Sequence, residues 1–303
     1  MSSTVEQIHK LKKEKNAVIL AHTYQPGEVQ DLADYVGDSY GLSVQASRTE
    51  ADVIVFCGVR FMAETAHILS PGRKVILPAP EAGCPMANMI TPNDLEELKA
   101  KNPDHLVMCY VNSTSEIKAL SDVCCTSSNA VKIARKLPCD KGIIFVPDRH
   151  LGTFVQEQTG RDMIFWDGFC PTHVRIQPAM IEQARKDHPD ALILIHPEAP
   201  RADRELSDQV LSTGGMMKYV SESDAREFII ATEKGLVHTL EKRNPGKRFY
   251  PLTDQLLCPN MKLGSAGQVL RALEGTAGEV ITLSEDVRSR AYASLEKMLE
   301  LSA

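Results

Sequence analysis

Three cysteines of this chain are each followed directly by proline: Cys84, Cys170 and Cys258. The first two are 86 positions apart and the last two are 88 positions apart, so each third of the 303 residues carries one. The same dipeptide at nearly one interval predicts an internal repeat. We therefore expect three similar units, each of which delivers one thiolate to a shared site.

The composition limits what that site can be. The net charge is −6 and no basic block occurs, so a nucleic-acid partner is not expected. No apolar run is long enough to cross a bilayer, and the first fifteen residues contain no signal-peptide segment. These features predict a cytoplasmic protein without a membrane partner. In that compartment cysteines are more often metal ligands or catalysts than disulfide partners.

Several interpretations of the three thiolates remain open. A structural zinc site favours a fourth ligand and short pairs such as C-x2-C, and the chain has no such pair. A catalytic zinc on three cysteines is an alternative, and so are three buried cysteines without any metal. Three widely spaced thiolates suit a [4Fe–4S] cluster in which one iron lacks a protein ligand. An open metal position can act as a Lewis acid.

The elements that position the cysteines follow from the apolar pattern. Short apolar runs at 17–21, 53–57 and 74–77 are typical of strands buried on both faces, and helical stretches separate them. This alternation recurs along the chain and predicts an α/β fold with parallel sheets covered by helices. We expect three αβα units around a pseudo-threefold axis. Their predicted ranges are 1–90, 91–176 and 177–263, with carboxyl-terminal helices at 264–303 packing back on the first unit. Two further helices are expected, at 28–36 and 224–234.

The first strand of each predicted unit ends in a pair of polar side chains. Ligands of parallel α/β sheets bind beyond the carboxyl ends of the strands. We therefore expect these pairs to meet in one central cavity with the cysteine loops. The pairs are His22 with Tyr24, Tyr110 with Asn112, and His196 with Glu198.

One hydroxyl residue in each unit stands at a predicted helix start: Ser39, Ser127 and Thr213. Serine and threonine are ordinary N-caps. The free N–H groups and the dipole at a helix start also favour a bound anion. Because there is one such residue per unit, we favour anion binding for the set.

The chain resembles the quinolinate synthase family of bacterial and archaeal NAD biosynthesis. Motifs similar to those of the family follow one another in order over nearly the whole length. They are AHTYQ (21–25), VGDS (36–39), FCGVRFMAETA (56–66), EAGCPMA (81–87), YVNST (110–114), CTSSNA (125–130), PDRHLG (147–152), WDGFC (166–170), PTH (171–173), HPE (196–198), STGGMMKYV (212–220) and CPNMK (258–262).

The resemblance implies three αβα domains and one [4Fe–4S] cluster held by Cys84, Cys170 and Cys258. It also implies a transferase that condenses iminoaspartate with dihydroxyacetone phosphate to quinolinate, phosphate and two waters. An aspartate oxidase or dehydrogenase would supply the iminoaspartate. Proton transfers dominate this chemistry, so an acid–base set near the open iron is required.

The resemblance further implies a role for each candidate residue. Glu198 and Tyr24 would be the main proton carriers, and His196 and His22 complete the catalytic set. Substrate hydroxyl, carboxylate and phosphate groups would be bound by Tyr110, Asn112, His196, Ser39, Ser127 and Thr213. His173, three residues after Cys170, would line the cavity or support the cluster.

The chain departs from the family pattern at two places, and two rival functions fit the same cysteines. Many members have cysteine where this chain has Ala199, and many carry a C-x2-C-x2-C group near the carboxyl end, where this chain has only Cys258. A thiol–disulfide switch based on those cysteines is therefore not expected. The rivals are another [4Fe–4S] hydro-lyase, acting on a small hydroxy acid, and a non-catalytic iron–sulfur sensor.

Overall fold

Three parallel sheets form the frame of the molecule, one from each third of the chain. The structure is a computed structural model and describes residues 3–303, so residues 1 and 2 of the first predicted unit lie outside the described part. The strands form where apolar residues are buried on both faces, as in the run from Ile19 to Ala21. They are β1 (Ala17–His22), β2 (Tyr35–Gly37), β3 (Val53–Cys57) and β4 (Lys74–Leu77); β5 (His105–Tyr110), β6 (Val123–Cys125), β7 (Gly142–Val146) and β8 (Met163–Phe165); β9 (Leu192–Ile195), β10 (Gln209–Val210), β11 (Glu227–Ala231) and β12 (Arg248–Pro251).

The strand order is the same in all three sheets: β2-β1-β3-β4, β6-β5-β7-β8 and β10-β9-β11-β12. Every pairing within these orders is parallel. The prediction of an α/β fold built from three similar αβα units is therefore confirmed.

Helices cover these sheets and connect the strands. Their starts have identifiable caps. Thr91, for example, accepts a hydrogen bond from Asp94 N–H in a capping box, with Pro92 in the first turn. The helices are α1 (Thr4–Glu14), α2 (Gly27–Leu32), α3 (Ser39–Arg48), α4 (Arg60–Leu69), α5 (Pro92–Lys101), α6 (Ser115–Ala119), α7 (Ala130–Lys136), α8 (Arg149–Thr159), α9 (Pro178–Asp187), α10 (Arg201–Arg204), α11 (Thr213–Glu222), α12 (Leu236–Arg243), α13 (Ala266–Glu274) and α14 (Glu285–Ser302).

One hydrogen-bond pattern recurs in each unit and shows that the repeat is structural. An aspartate just before the second strand accepts the backbone N–H of a residue in the first strand, and its own N–H bonds to the carbonyl of the same residue. The pairs are Asp34 with Ile19 (2.8 Å), Asp122 with Val107 (2.7 Å) and Asp208 with Ile193 (2.8 Å) for the side-chain bond. The two strands are thus held in the same register three times.

The last forty residues contact two of the units. α13 packs against α1, and a short strand β13 (Glu279–Val280) pairs antiparallel with β4 of the first sheet. α14 packs against α6, β6 and α4 through Ala291, Leu295 and Met298, which are fully buried. The unit boundaries at 90, 176 and 263 remain predictions.

One predicted helix was wrong and another was too long. The segment 224–234 contains strand β11, because Phe228, Ile229 and Ile230 are buried between β9 and β12. The helix predicted at 28–36 ends at Leu32, and residues 35–37 form β2, since Asp34 turns the chain back onto β1. Among residues 3–303 no helix has the length and apolar character needed to span a membrane.

Candidate active site

A cavity lies where residues from all three units meet beyond the carboxyl ends of their strands. It encloses about 680 Å³ of empty space, its open mouth included. All thirteen site residues singled out in the sequence line its wall: His22, Tyr24, Ser39, Cys84, Tyr110, Asn112, Ser127, Cys170, His173, His196, Glu198, Thr213 and Cys258. Their roles remain predictions, but the structure brings all of them together.

Each of the three cysteines precedes a short 3₁₀ turn, at Met86–Asn88, His173–Arg175 and Pro259–Lys262. Proline after the cysteine restricts the backbone at the turn entry. Backbone N–H groups inside each turn point toward the thiol that precedes it: that of Ala87 toward Cys84, that of His173 toward Cys170 and that of Met261 toward Cys258. The repeated Cys-Pro dipeptide therefore produces the same thiol-bearing turn three times.

The donor set at these turns fits a metal cofactor. All three cysteines are free thiols. Burial raises the pKa of Cys84 to about 12 and raises the pKa values of Cys170 and Cys258 as well. Three thiolates in this cavity thus require a strong positive charge beside them, which a metal centre provides.

Buried carboxylates hold two of the three cysteine loops. Asp148 Oδ2 accepts the Cys170 N–H at 3.1 Å, while its Oδ1 accepts the Leu151 N–H at 2.7 Å and caps α8. Glu233 Oε1 accepts the Cys258 N–H at 3.2 Å. Within the described residues, no side chain accepts the Cys84 N–H in this way.

Glu233 also connects its loop to the opposite wall of the cavity. Its Oε2 accepts the Gly235 N–H at 2.7 Å, and Lys262 Nζ lies 2.9 Å from its Oε1. Lys262 Nζ donates in addition to the backbone carbonyl of Tyr24. This ion pair links the Cys258 loop of the third unit to the end of β1 in the first.

Two histidines have their tautomer fixed by the backbone. His22 Nδ1 accepts the Tyr24 N–H at 3.2 Å, and His196 Nδ1 accepts the Glu198 N–H at 3.3 Å. Burial lowers the pKa of each imidazole to about 3. Both rings are therefore neutral, and both carry their proton on Nε2 as a donor. His196 Nε2 lies 3.2 Å from Ser127 Oγ.

A chain of hydrogen bonds crosses the cavity wall from Tyr24 to Tyr110. Tyr24 Oη lies 2.7 Å from Thr232 Oγ1, which lies 2.8 Å from His173 Nε2. His173 Nδ1 is 2.7 Å from Glu198 Oε2, and the Tyr110 hydroxyl donates to Glu198 Oε1 at 2.6 Å. The chain joins all three units, so one proton can be relayed between side chains of different sheets.

The same contacts set the ionisation of this chain of side chains. Burial alone would raise the pKa of Glu198, but His173, His196 and the Tyr110 hydroxyl outweigh it and hold that pKa below its usual range. Burial raises the pKa values of Tyr24 and Tyr110. Glu198 is thus ionised, and the two tyrosines keep their phenol protons.

Ser39, Ser127 and Thr213 all reach the cavity. The prediction of a helix start is wrong for Ser127, which lies in a turn before α7, because Asn129 is the N-cap of that helix. Ser39 and Thr213 begin α3 and α11, whose caps are Asp38 and Ser212. Ser128 Oγ donates to Asp38 Oδ2 at 2.5 Å and lies 2.9 Å from Ser212 Oγ. One residue from each unit therefore meets beside the cavity, next to the predicted anion-binding residues.

Asn112 presents a polar atom without a partner. Its Oδ1 is buried and has no hydrogen bond among residues 3–303. Buried acceptors are normally paired, and an unpaired one calls for an explanation. A hydroxyl or amine of a bound ligand would satisfy it.

Two residues of the site, Thr232 and Glu233, were missed in the sequence, and so was the contact of Asp148 with Cys170. Thr232 and Glu233 follow β11 directly, and they were hidden because this segment was taken for a helix. A repeated sequence motif near the predicted anion-binding residues was also overlooked. Leu-x-Asp occurs at 32–34, 120–122 and 206–208, and each aspartate precedes a predicted anion-binding residue by five positions.

Comparison with known proteins agrees with this geometry. A family model described as "Quinolinate synthetase A protein" matches residues 6–300. The chain is 52% identical over 298 residues to the quinolinate synthase of Caldicellulosiruptor saccharolyticus, covering 98% of this chain and 97% of that one. It is 50% identical over 295 residues to that of Pelobacter propionicus (97% and 96%) and 49% identical over 296 residues to that of Geobacter metallireducens (98% and 97%). The chain therefore belongs to the quinolinate synthase family.

Proposed function

We propose that this chain condenses iminoaspartate with dihydroxyacetone phosphate to quinolinate, phosphate and two waters, as a transferase with one [4Fe–4S] cluster. The observation that carries the proposal is the hydrogen-bonded chain from Tyr24 to Tyr110, in the wall of the same cavity as three free cysteines. A non-catalytic sensor would need only the thiols. A buried relay that joins three units is the arrangement that a series of proton transfers requires.

Cys84, Cys170 and Cys258 would hold the cluster. When bound, it would supply a Lewis acid at an iron that lacks a protein ligand. The thiol-bearing turns contribute N–H groups directed at the sulfur atoms, and such donors tune iron–sulfur centres.

The protein side chains divide the remaining work. The Nε2–H groups of His22 and His196 are donors for substrate carboxylates, and Asn112 Oδ1 accepts from a hydroxyl or amine. The phosphate belongs at the starts of α3 and α11, where the backbone N–H groups are free. Ser39, Ser127 and Thr213 would add their hydroxyl groups there.

Proton transfers are assigned to the two ends of the relay. Glu198, a carboxylate, takes a proton from the carbon or nitrogen at which a new bond or double bond forms. Tyr24 gives a proton to a leaving oxygen and is reprotonated through Thr232 and His173. Because the relay returns the proton from Glu198 to Tyr24, each dehydration restores the starting state.

The proposal places the enzyme in the cytoplasm, beside an aspartate oxidase or dehydrogenase that forms iminoaspartate. The test is an anaerobic assay of the cluster-loaded protein with both substrates, in which quinolinate and phosphate are measured together. We expect them in equal amounts. A protein that contains the cluster but forms no quinolinate would overturn the proposal and favour the hydro-lyase or sensor alternatives.

Variants at the relay sharpen that test. Glu198→Gln and Tyr24→Phe remove the two proton carriers, and each should lower kcat by about 10²- to 10⁴-fold. Thr232→Val interrupts the relay but keeps both carriers, so we expect a smaller loss. Iron content per chain is the control, since none of the three variants removes a proposed ligand.

A further inference from the structure

The Cys170 loop contains a second group of metal-ligand atoms, which the other cysteine loops lack. The residue three positions after the cysteine is His173 here, whereas it is Ala87 after Cys84 and Met261 after Cys258. The Cys170 thiol, the His173 ring and the Glu198 carboxylate each offer one ligand atom, and these atoms lie within 4.8 Å of one another. Cysteine, histidine and carboxylate side chains are all zinc ligands, and three protein ligands with an open fourth position are typical of catalytic zinc sites.

The distances show that little movement is needed to close this group around one ion. His173 Nδ1 lies 3.1 Å from Cys170 Sγ and 2.7 Å from Glu198 Oε2. Zinc binds nitrogen and oxygen at about 2.0–2.2 Å and sulfur at about 2.3 Å. The ligand atoms around a tetrahedral zinc ion are thus slightly farther from one another than His173 Nδ1 is from Cys170 Sγ and Glu198 Oε2 in the structure. Small rotations of the side chains would open the group enough to admit the ion.

The outer ring nitrogen of His173 is also held as in a metal site. His173 Nε2 lies 2.8 Å from Thr232 Oγ1, and the side chains of His173 and Glu198 are only 3% exposed. A metal-binding histidine characteristically makes such a second hydrogen bond, which fixes the orientation of its ring.

Charge favours this group over the three thiolates for a single divalent ion. Cys170 as a thiolate and Glu198 as a carboxylate contribute two negative charges, and a neutral imidazole contributes none. A divalent cation leaves the site neutral, whereas three thiolates around the same ion would leave an uncompensated negative charge in a buried cavity.

We propose that the cluster-free chain binds one divalent ion of the zinc class through Cys170 Sγ, His173 Nδ1 and Glu198 Oε2, with its fourth position open to the cavity. On binding, the Cys170 thiol loses its proton to solvent. His173 moves its proton from Nδ1 to Nε2, where Thr232 accepts the hydrogen bond. No oxidation or reduction is involved.

The consequence is competition with the cluster, and this part rests on the proposed function. An ion at this site occupies Cys170 and takes Glu198 out of the proton relay. Zinc bound first should therefore block both cluster assembly and quinolinate formation until a chelator removes it. The metal site itself is tested by metal binding alone, independently of the proposed function.

The first experiment uses the unaltered chain. Full-length protein freed of its cluster is kept reduced and without oxygen, loaded with Zn²⁺, and studied by X-ray absorption at the zinc edge. We expect about one zinc per chain with a single sulfur ligand and the remainder nitrogen or oxygen. Three sulfur ligands, or no stoichiometric binding, would overturn the proposal.

Variants then identify the ligands, with Co²⁺ as the optical probe. Cys170→Ser should abolish the sulfur-to-cobalt charge-transfer band, and His173→Gln and Glu198→Gln should weaken Co²⁺ binding. Thr232→Val removes only the outer hydrogen bond, for which we expect about a 10- to 100-fold weaker affinity. The matched controls are Cys84→Ser and Cys258→Ser, which should bind Co²⁺ as the parent does. Equal losses in these controls would assign the ion to the three cysteines instead.

Discussion

The loops of Cys170 and Cys258 differ from the loop of Cys84 in how they are held. In two loops a buried carboxylate that follows a neighbouring strand accepts the N–H of the cysteine. Asp148 does so for Cys170, and Glu233 does so for Cys258. Cys84 has no such acceptor among the described residues. The repeat therefore copies the thiol-bearing turn into every unit, but it copies the support into only two of them.

The Cys84 loop, which lacks a carboxylate acceptor, is also surrounded by more open space. A Cβ on Gly83 would meet no heavy atom within 4 Å. A second cavity, with about 490 Å³ of empty space including its mouth, also borders Cys84 and is lined by Arg60 and Glu64. We infer that the Cys84 loop is the least constrained of the three, so substitutions near it should cost the least.

Glu233→Ala should have the largest effect on stability. The substitution leaves the N–H groups of Cys258 and Gly235 unpaired and Lys262 without its ion-pair partner. Removing one member of a buried ion pair costs about 3–5 kcal/mol. Urea unfolding of the cluster-free chain measures this loss, and Glu233→Gln, which keeps one acceptor oxygen, should lose less. A loss under about 1 kcal/mol would show that the carboxylate does not hold the loop.

Asp148→Ala should rank second. It removes the N-cap of α8, worth about 0.5–2 kcal/mol, and leaves the part-buried Cys170 N–H unpaired, which costs up to about 1–3 kcal/mol. No cation loses its partner here, whereas Glu233→Ala adds two unpaired N–H groups to the loss of an ion pair, so Asp148→Ala should cost less. Asp148→Asn is the control because it keeps an oxygen for one of the two N–H groups. If the order of Asp148→Ala and Glu233→Ala is reversed in the same urea series, Lys262 does not contribute as the geometry indicates.

The sequence predicted the residues that line the cavity far better than the residues that hold the cysteine loops in place. The fold class and the shared location of all thirteen predicted residues followed from strand periodicity, the repeated Cys-Pro and the family motifs. Glu233 and Thr232 were missed because the charged residues before and at the start of β11, Asp224, Arg226 and Glu227, give this buried strand the pattern of an amphipathic helix. Propensity is a weak guide when tertiary burial decides the conformation.

Contacts between units could not be read from the sequence for a different reason. Tyr24 and Thr232 are 208 positions apart, and Tyr110 and Glu198 are 88 apart. Their meeting depends on how the three units dock, and no local pattern encodes that docking. The Asp34, Asp122 and Asp208 bonds, in contrast, lie within single units and leave a repeated Leu-x-Asp signal in the sequence.

A pair of glycine substitutions tests the smallest expected difference between the loops. A Cβ on Gly168, two residues before Cys170, would lie 2.4 Å from the carbonyl oxygen of Pro147, a backbone atom that cannot move aside. Gly168→Ala should therefore cost about 1–3 kcal/mol, the range for overpacking. Gly83→Ala, one residue before Cys84, meets open space and should stay within about 0.5 kcal/mol of the parent. Both are measured by the same urea unfolding. A large loss in stability for Gly83→Ala would contradict the inference that the Cys84 loop is the least constrained. Since the added methyl group meets no neighbour, such a loss would mean that the backbone of this loop is itself restricted.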